Sequence, residues 1–537
     1  MPLDRSVQVD LPAHCVRVPK DGKIYIQYVK RAYRNAKGQP TNERVAIGRL
    51  DETTGKLIPN RNYYELFAGK APGSQPELVR SCGNYAVFSR IAKELGVEQL
   101  LKKAFPGKAE DILTVAQYIL SEGNVMYYMG DWQEENVTYS PKVLESGDIS
   151  RLFASIGQAQ RLTFFNAWIK KVYSQEYIAY DVTSVSSYSE RMESLEWGYN
   201  RDKERLRQIN LGMYYGEDSG LPLYYRIYPG GITDKTHLKY MTEDTDLIAH
   251  GRVKFVMDRG FYSTDNLQYL VEKGVRFLIA LPNSLKYCRE LIEKHRDEII
   301  NRFECFLGNG LPYGKAYDVT ALGFRMRVHL YYDPVKAVKD SEALQEEIQR
   351  QEEELSAMET PPDKKLHFDK YFFINRSKDG KLGFCRNYTA INKALSECGF
   401  FLLAETDFKK TTAQVLEIYR RRDVVEKCFD DLKNELDMHR LHVQKDETAE
   451  GKAFCAFVAL IICSQMQKKL RGMMVENKFT FKKIMLELRK ARLIIAPKYP
   501  TGCRLMNPPT KVQKEILSCL GLPENTLQAV CYDFTRT

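Results

Sequence analysis

The pattern of apolar and polar residues predicts strands at the start of the chain and helices after them. Residues 23–34 (KIYIQYVKRAYR) are rich in β-branched and aromatic residues, and a turn-forming Gly-Gln-Pro sequence follows at 38–40. From about Ala86 to Glu122 the apolar residues recur at helical spacing, so two or three short helices are predicted. Short helices joined by tight turns occur in DNA-binding regions and in ordinary packing, and the pattern leaves both open.

The centre of the chain has a different pattern, with short apolar runs that are typical of strands. A helix-like segment, 263–272, separates the last two of them, and this alternation predicts a mixed α/β sheet. A further strand-like run, 400–404, is followed by a long helix that starts near Thr411 and by an amphipathic helix within 451–474. The four central runs are 177–182, 221–228, 253–257 and 275–281.

An acidic segment, residues 336–358, interrupts the sheet pattern. Its apolar residues fall on one helical stripe, and its glutamates lie off that stripe. This separation predicts a solvated helix and argues against a catalytic cluster of acids. The stripe consists of Leu344, Ile348, Leu355 and Met358.

Length and composition indicate a folded protein of several domains. The chain has 537 residues, 44% of them hydrophobic and 28% charged, and a single core rarely grows beyond about 250–300 residues. The longest apolar run, Ala453 to Cys463, is 11 residues, well below the ~20 that cross a bilayer. No membrane span is expected. The N-terminal residues lack the features of a signal peptide, so a cytoplasmic location is predicted.

The cysteines and the net charge exclude only a few classes of function. The 12 cysteines form no Cys-x2-Cys pair, which argues against a zinc ribbon or a redox dithiol and for reduced thiols. The net charge is +10, and residues 1–50 contain ten Lys or Arg against four acids. This basic excess suits a polyanionic partner, although a solvated basic face explains it equally well.

Two aspartates follow apolar strands and are the first candidates for chemistry. Asp181 ends the run YIAYD, and Asp258 directly follows VKFVM. Both are expected at the same edge of one sheet. A buried carboxylate is costly unless it is paired or binds a metal, although an aspartate at a strand end is often only a cap or a turn former.

A third carboxylate lies on the predicted helix 411–436. Tyr419, Arg422, Glu426 and Lys433 are spaced so that, at 100° per residue, they occupy a sector of about 60°. An apolar side for docking on the sheet is supplied by Val415, Ile418, Val425 and Phe429. Asp430 and Asp431 point elsewhere and are expected to be solvated.

Three converging carboxylates raise one another's pKa unless divalent cations neutralise them. Oxygen ligands with no Cys or His nearby select Mg²⁺ or Mn²⁺. Two such ions ~3.5–4 Å apart can clamp the attacking and leaving oxygens of a phosphoryl displacement. Nuclease-type chemistry is therefore predicted.

These residues carry a resemblance to a known family. The spacing Tyr-x2-Arg-x3-Glu-x6-Lys at Tyr419, Arg422, Glu426 and Lys433 resembles the signature of bacterial DDE transposases of the insertion-sequence-four superfamily. The first-Asp motif of that family is similar to residues 180–184, and its second-Asp motif is similar to 258–261. The strand pair between them is similar to residues 210–234. The resemblance covers roughly residues 175–470.

The resemblance implies an α/β fold with an RNase H-like core, interrupted by a largely β insertion between the second Asp and the Glu. It implies that Asp181, Asp258 and Glu426 hold two Mg²⁺ (or Mn²⁺) ions, and that Tyr419, Arg422 and Lys433 contact phosphates of the DNA ends. The expected regions are a basic β-rich region (1–70), a helical region that could bind DNA ends (71–170), a first core segment (171–284), the insertion (285–399), a second core segment (400–475) and a C-terminal region (476–537).

The implied function is a DNA transposase that cuts at terminal inverted repeats and joins the 3′-OH to target DNA by a cut-and-paste route. The implied partner is double-stranded DNA, bound by a homodimer in the bacterial cytoplasm at the nucleoid, with no membrane. Two alternatives stay open. One is a metal-dependent nuclease without strand transfer, and the other is an inactive DNA-binding derivative.

The sequence also contains weaker candidates for metal ligands and DNA contacts. His439 and His442 have a ligand-like spacing but lack a third partner. If the excised end closes as a hairpin, an aromatic side chain of the insertion is expected to stack on an extruded base. The candidates are Phe303, Phe306, Tyr317 and Tyr331, each of which is also a plausible core residue.

Overall fold

The computed structural model forms two compact units. One consists of Met1–Arg80, Arg492–Pro508 and Gln528–Thr537, and the other of Ser81–Ala491 and Pro509–Leu527. The six predicted regions are drawn on other boundaries and stay predictions. The structure describes residues 7–20, 22–34, 38–68, 78–243, 253–308, 310–358, 367–376, 382–476, 479–495 and 503–533.

The first unit contains an antiparallel sheet of four consecutive strands. These are β1 (Cys15–Lys20), β2 (Lys23–Arg34), β3 (Pro40–Leu50) and β4 (Leu57–Pro59). The segment predicted as a strand is β2, and its Ile26 packs with Ile47 and Leu57 in a small core. Helix α1 (Arg61–Tyr63) runs into a π-helical turn, and a three-stranded sheet contains β5 (Leu78–Ser81), β16 (Arg492–Ile495) and β17 (Cys503–Leu505).

The second unit begins with helices, as the apolar spacing predicts. The spacing places apolar residues such as Ile91, Leu101 and Ile112 on the buried sides of these helices. They are α2 (Gly83–Leu95), α3 (Val97–Ala104), α4 (Ala109–Glu122), α5 (Met129–Glu135), α6 (Ser146–Ala154) and α7 (Gln158–Val172).

A large mixed sheet forms the centre of the second unit, so the prediction of a mixed α/β fold is confirmed. Its strands are β6 (Tyr177–Ser186), β7 (Gln208–Gly216), β8 (Pro222–Pro229), β9 (Lys254–Met257), β10 (Arg276–Leu281), β11 (Tyr313–Ala321), β12 (Phe324–Tyr332) and β15 (Phe400–Glu405). Their order is β11-β12-β15-β10-β9-β6-β7-β8. The pairs β6–β9 and β9–β10 are parallel, and the others are antiparallel.

Helices cover the central strands, and β7 is buried along its whole length. Both of its faces are packed, although it is not a continuous apolar run, since it contains Gln208 and Asn210. The remaining helices are α8 (Asp234–Glu243), α9 (Thr264–Glu272), α10 (Lys286–Ile299), α11 (Pro334–Ser356), α12 (Tyr388–Ser396), α13 (Thr412–Arg421), α14 (Asp423–Asp430), α15 (Asp446–Glu476), α16 (Phe481–Arg489), α17 (Lys511–Cys519) and α18 (Thr526–Asp533).

The expectation of a largely β insertion at 285–399 is wrong for the described residues, which contain more helix than strand. Strands β11 and β12 are not separate from the core sheet, because β12 pairs with β15. The acidic segment forms α11, which is capped by Asp333 and starts at Pro334. Its Ile348 and Leu355 pack with a small hairpin of β13 (Phe372–Arg376) and β14 (Leu382–Arg386) and with α12.

Helix α15 is the most apolar long helix of the described chain. By length and composition alone it could cross a membrane, but 89% of its most apolar stretch is buried within the protein. The expectation of an amphipathic helix within 451–474 holds only after Cys463, because residues 451–463 are buried on all sides, as is typical of a protein core.

Candidate active site

Asp181 and Asp258 lie at neighbouring positions on adjacent parallel strands. The pairing of β6 with β9 ends at Tyr180 and Met257, so both aspartates directly follow the last paired residues. This confirms the prediction that they share one region of the sheet. The expectation that the strand ends at Asp181 is wrong, because β6 continues to Ser186 by antiparallel pairing with β7.

The Asp181 carboxylate is almost fully buried and faces two guanidinium groups. Its residue is 5% exposed, and its Oδ1 accepts a hydrogen bond from the backbone N–H of Val182 at 2.8 Å. Arg201 Nη2 lies 3.6 Å from Oδ1, and Arg422 Nη1 lies 3.8 Å from Oδ2. Burial raises the pKa of Asp181 to about 6 despite these positive charges.

Asp258 is held by the tyrosine of the predicted signature. The Tyr419 hydroxyl donates a hydrogen bond to Asp258 Oδ1 at 3.2 Å, and burial together with the Asp258 charge raises the pKa of Tyr419. Asp258 also begins a 3₁₀ turn, Arg259–Phe261. A cleft of about 400 Å³ opens beside Asp258 and Tyr419 and is lined on another side by Phe400 and Phe401.

The spacing of Tyr419, Arg422, Glu426 and Lys433 predicts one continuous helix. The structure instead has three segments. Helix α13 ends at Arg421, α14 starts at Asp423, and a π-helical turn follows at Asp431–Glu435. The break occurs because the Arg422 N–H bonds to the carbonyl of Tyr419, three residues back instead of four. The apolar side is nevertheless as predicted, since Val415, Val425 and Phe429 are buried.

Arg422 connects the third carboxylate to the first. Its Nη2 donates to Glu426 Oε1 at 2.8 Å, while its Nη1 faces Asp181. The guanidinium therefore lies between two of the three predicted acids. The Glu426 side chain is about half exposed, so this acid borders the solvent.

Lys433 lies apart from these contacts, although the predicted sector includes it. Its Nζ donates to Asp202 Oδ1 at 2.7 Å, and its side chain is only 9% exposed. The π-helical turn explains the difference, because it has more residues per turn than the α-helix assumed for the spacing.

The structure thus brings Asp181, Asp258, Glu426, Tyr419 and Arg422 into one linked group. Within the described residues, no three or more His, Cys, Asp or Glu side chains lie close enough together to hold a metal ion. In this arrangement the positive charge among the carboxylates comes from Arg201 and Arg422.

Two residues that contact predicted site residues carry no signal in the sequence. Arg201 and Asp202 belong to the connection between β6 and β7, where charges of both signs alternate without a periodic signal.

Asp431 was expected to be solvated, which is wrong. Its Oδ1 accepts a hydrogen bond from Gln467 Nε2 at 2.7 Å, and burial raises its pKa to about 7.

The histidines form no ligand set in the described chain. His439 Nε2 lies 3.2 Å from Asn434 Oδ1, and its Nδ1 lies 3.8 Å from Asp202. Burial lowers the pKa of His442.

The residues of this site lie within the part of the chain that a known family model matches. A family model described as the transposase DDE domain matches residues 173–462, more than half of the chain. Among solved structures, the chain is similar to the piggyBac transposase in its synaptic complex with hairpin DNA, with 12% identity, a TM-score of 0.36, and coverage of 81% of this chain and 83% of that one. No curated protein matches the sequence. By the family match, this chain belongs to the DDE transposases.

Proposed function

We propose that the protein is a DNA transposase that cuts at the terminal inverted repeats of its element and joins the freed 3′-OH to target DNA. The observation that carries the proposal is the linked group of Asp181, Asp258 and Glu426 around Arg422 and Tyr419. It lies within the part of the chain that the DDE transposase model matches.

The sheet supports an RNase H-like core. Five strands in the order β10-β9-β6-β7-β8 comprise an antiparallel run, β6 to β8, followed by two strands parallel to β6. The first two carboxylates follow the paired ends of the two central strands of this set. Ligands of open α/β sheets commonly bind at such strand ends.

The donor set has the oxygen chemistry that hard divalent cations prefer, but in the described arrangement its three carboxylates are too far apart to share an ion and have to approach one another before they bind one. All three candidates are carboxylates, and the buried Asp181 is positioned where a nearby positive charge stabilises its ionised form. We propose that Asp181, Asp258 and Glu426 hold two Mg²⁺ or Mn²⁺ ions. When bound, such ions neutralise charge on the attacking and leaving oxygens of the phosphate.

The DNA contacts are proposed for Tyr419, Arg422 and Lys433. Tyr419 and Arg422 both border the carboxylates, and Tyr419 also lines the cleft beside Asp258. Lys433 has to leave Asp202 before its ammonium reaches a phosphate, because the ion pair is largely enclosed. Double-stranded DNA bound by a homodimer at the bacterial nucleoid, within the cytoplasm, belongs to the same proposal, as does a cut-and-paste route.

A strand-transfer assay tests the proposal against a nuclease or an inactive derivative. The purified chain is mixed with a pre-cut duplex that ends in the repeat flanking its gene, a target plasmid and Mg²⁺. Covalent joining of the 3′ end to the plasmid is expected, with none for Asp258→Asn. Cleavage of an uncut end without joining would favour the nuclease, and DNA binding with neither reaction would favour the inactive derivative.

A further inference from the structure

The connection between β6 and β7, residues 187–207, is fixed to the sheet by its own backbone. Glu196 and Gln208 exchange both backbone hydrogen bonds, at 3.1 and 3.0 Å. The Arg201 N–H donates to Ser184 Oγ at 3.0 Å, and Asn200 Nδ2 donates to Ser186 Oγ at 3.0 Å. Both serines belong to β6, the strand of Asp181. These hydrogen bonds therefore fix the position of the connection relative to Asp181.

Three ion pairs fix the same connection to the residues around the site. Asp202 pairs with Lys433 at 2.7 Å, Glu204 pairs with Arg440 at 2.6 Å, and Arg201 faces Asp181 at 3.6 Å. The two acids of residues 197–207 are thereby neutralised. The exposed basic residues Lys203 and Arg205 form no ion pair with any described residue, so this stretch presents positive charge.

Two large aromatic side chains project from this fixed segment. Trp197 is 67% exposed and Tyr199 is 86% exposed. Gly198, between them, packs closely against the backbone of Gly230. A Cβ added to Gly198 would lie 2.0 Å from the Gly230 carbonyl oxygen. The backbone is therefore anchored while both rings face the solvent. Because the anchoring is already present, little conformational freedom is lost when a ligand binds.

We propose that Trp197 and Tyr199 form a stacking platform for unpaired bases of the DNA strand next to the cleaved phosphate. Any base offers a face for stacking, and basic side chains beside aromatic rings are the usual combination for binding single strands. The partner fits the charge of Lys203 and Arg205, and Arg201 places the platform beside Asp181. This inference rests on the proposed function.

The fluorescence of Trp197 can report whether DNA binds at the platform. Of its three tryptophans, Trp132 is 6% exposed and Trp168 is 0% exposed, so acrylamide quenching reports mainly on Trp197. A duplex of the terminal repeat with a short single-stranded end is expected to protect the fluorescence from acrylamide, whereas the blunt duplex is not. Trp197→Phe is expected to remove the quenchable signal.

Affinity measurements on variants provide the second test. Trp197→Ala and Tyr199→Ala are each expected to weaken binding of the single-stranded-end DNA about tenfold and to leave the blunt duplex unaffected. Tyr388→Ala, which removes an exposed tyrosine at the start of α12, is the matched control and is expected to change neither affinity.

The outcomes separate this inference from the proposed function. If the chain binds and joins DNA ends while Trp197 stays quenchable and the two variants bind normally, the platform is wrong and the transposase proposal stands. If the chain binds neither DNA, both are wrong. Protection of Trp197 that grows with protein concentration in the absence of DNA would assign this surface to contact between copies of the chain and overturn the platform.

Discussion

At the residue scale, Lys433 is where the resemblance and the structure differ most. The resemblance implies a phosphate contact, whereas the ammonium is enclosed and paired with Asp202. A lysine that neutralises a phosphate releases a counterion, and this gives a measurable dependence on salt.

If Lys433 changes partner when DNA binds, Lys433→Met is expected to reduce the log–log salt slope of end binding by about 0.9. Asp202→Asn removes the competing carboxylate and is expected to leave the slope unchanged. The measurement is a titration of binding against salt for both variants. An unchanged slope for Lys433→Met would mean that Lys433 serves only to hold Asp202.

Lys452 is a second residue with a measurable property. Its ammonium is buried in α15 and donates to the carbonyl oxygens of Asn124 and Leu441, at 2.7 Å each, and to Asn124 Oδ1 at 3.1 Å. Burial lowers its pKa to about 7, although the charge of Asp437 opposes the shift. His442 also faces Lys452, and burial first and then the lysine charge lower its pKa.

A lowered pKa means that the folded protein binds fewer protons than the unfolded chain between pH 7 and the ordinary lysine value. Stability is therefore expected to rise with pH from about 7 toward 10 through this group, and to be independent of it below pH 7. Thermal unfolding of the wild type and of Lys452→Met measures this. An equal pH dependence in the two proteins would show that Lys452 is not the titrating group.

At the element scale, the sequence predicts whether a segment is a helix or a strand better than it predicts where a helix is interrupted. The predicted runs of the second unit are found as strands or helices at the expected residues, because the burial of apolar side chains determines their spacing. The break at Arg422 and the π-helical turn after Asp430 carry no periodic signal, since they depend on individual backbone hydrogen bonds. The strand character expected for 285–399 fails because α11 finds its own apolar partners in Phe368 and Phe372.

The aromatic candidates within residues 285–399 differ in exposure according to the element that contains them. Tyr331 is fully buried in β12 and Tyr317 is stacked on His295, so neither is free to act as a wedge. Phe303, in the 3₁₀ turn Phe303–Cys305, is 85% exposed and stacks on Phe306.

If the excised end closes as a hairpin, Phe303→Ala is expected to reduce the closed product and to preserve first-strand nicking, because only the second step needs an extruded base. Denaturing gels of excised ends measure both species, with Phe373→Ala, also exposed, as the control. Ends that are never covalently closed at any time would rule out the hairpin route.

At the scale of the whole molecule, the candidate site could be predicted from the sequence only partly. The carboxylates and Tyr419 could be found because strand ends and helical spacing are local patterns. Arg201 and Asp202 could not, because irregular backbone and contacts distant in sequence place Arg201 beside Asp181 and Asp202 beside Lys433. The burial of Asp431 against Gln467 likewise depends on the packing of α15.

The central claim is that three carboxylates from different elements act together in DNA cleavage. The most direct measurement is Mg²⁺-dependent nicking of a duplex containing the terminal repeat by Asp181→Asn, Asp258→Asn and Glu426→Gln, with binding of the same duplex measured in parallel. Asp430→Asn, an exposed acid on the same helix, is the control. Each of the three variants is expected to lose nicking and still bind the end, while the control is expected to nick normally. Nicking close to the wild-type rate by any one of the three would remove that residue from the site and refute joint action of the three carboxylates.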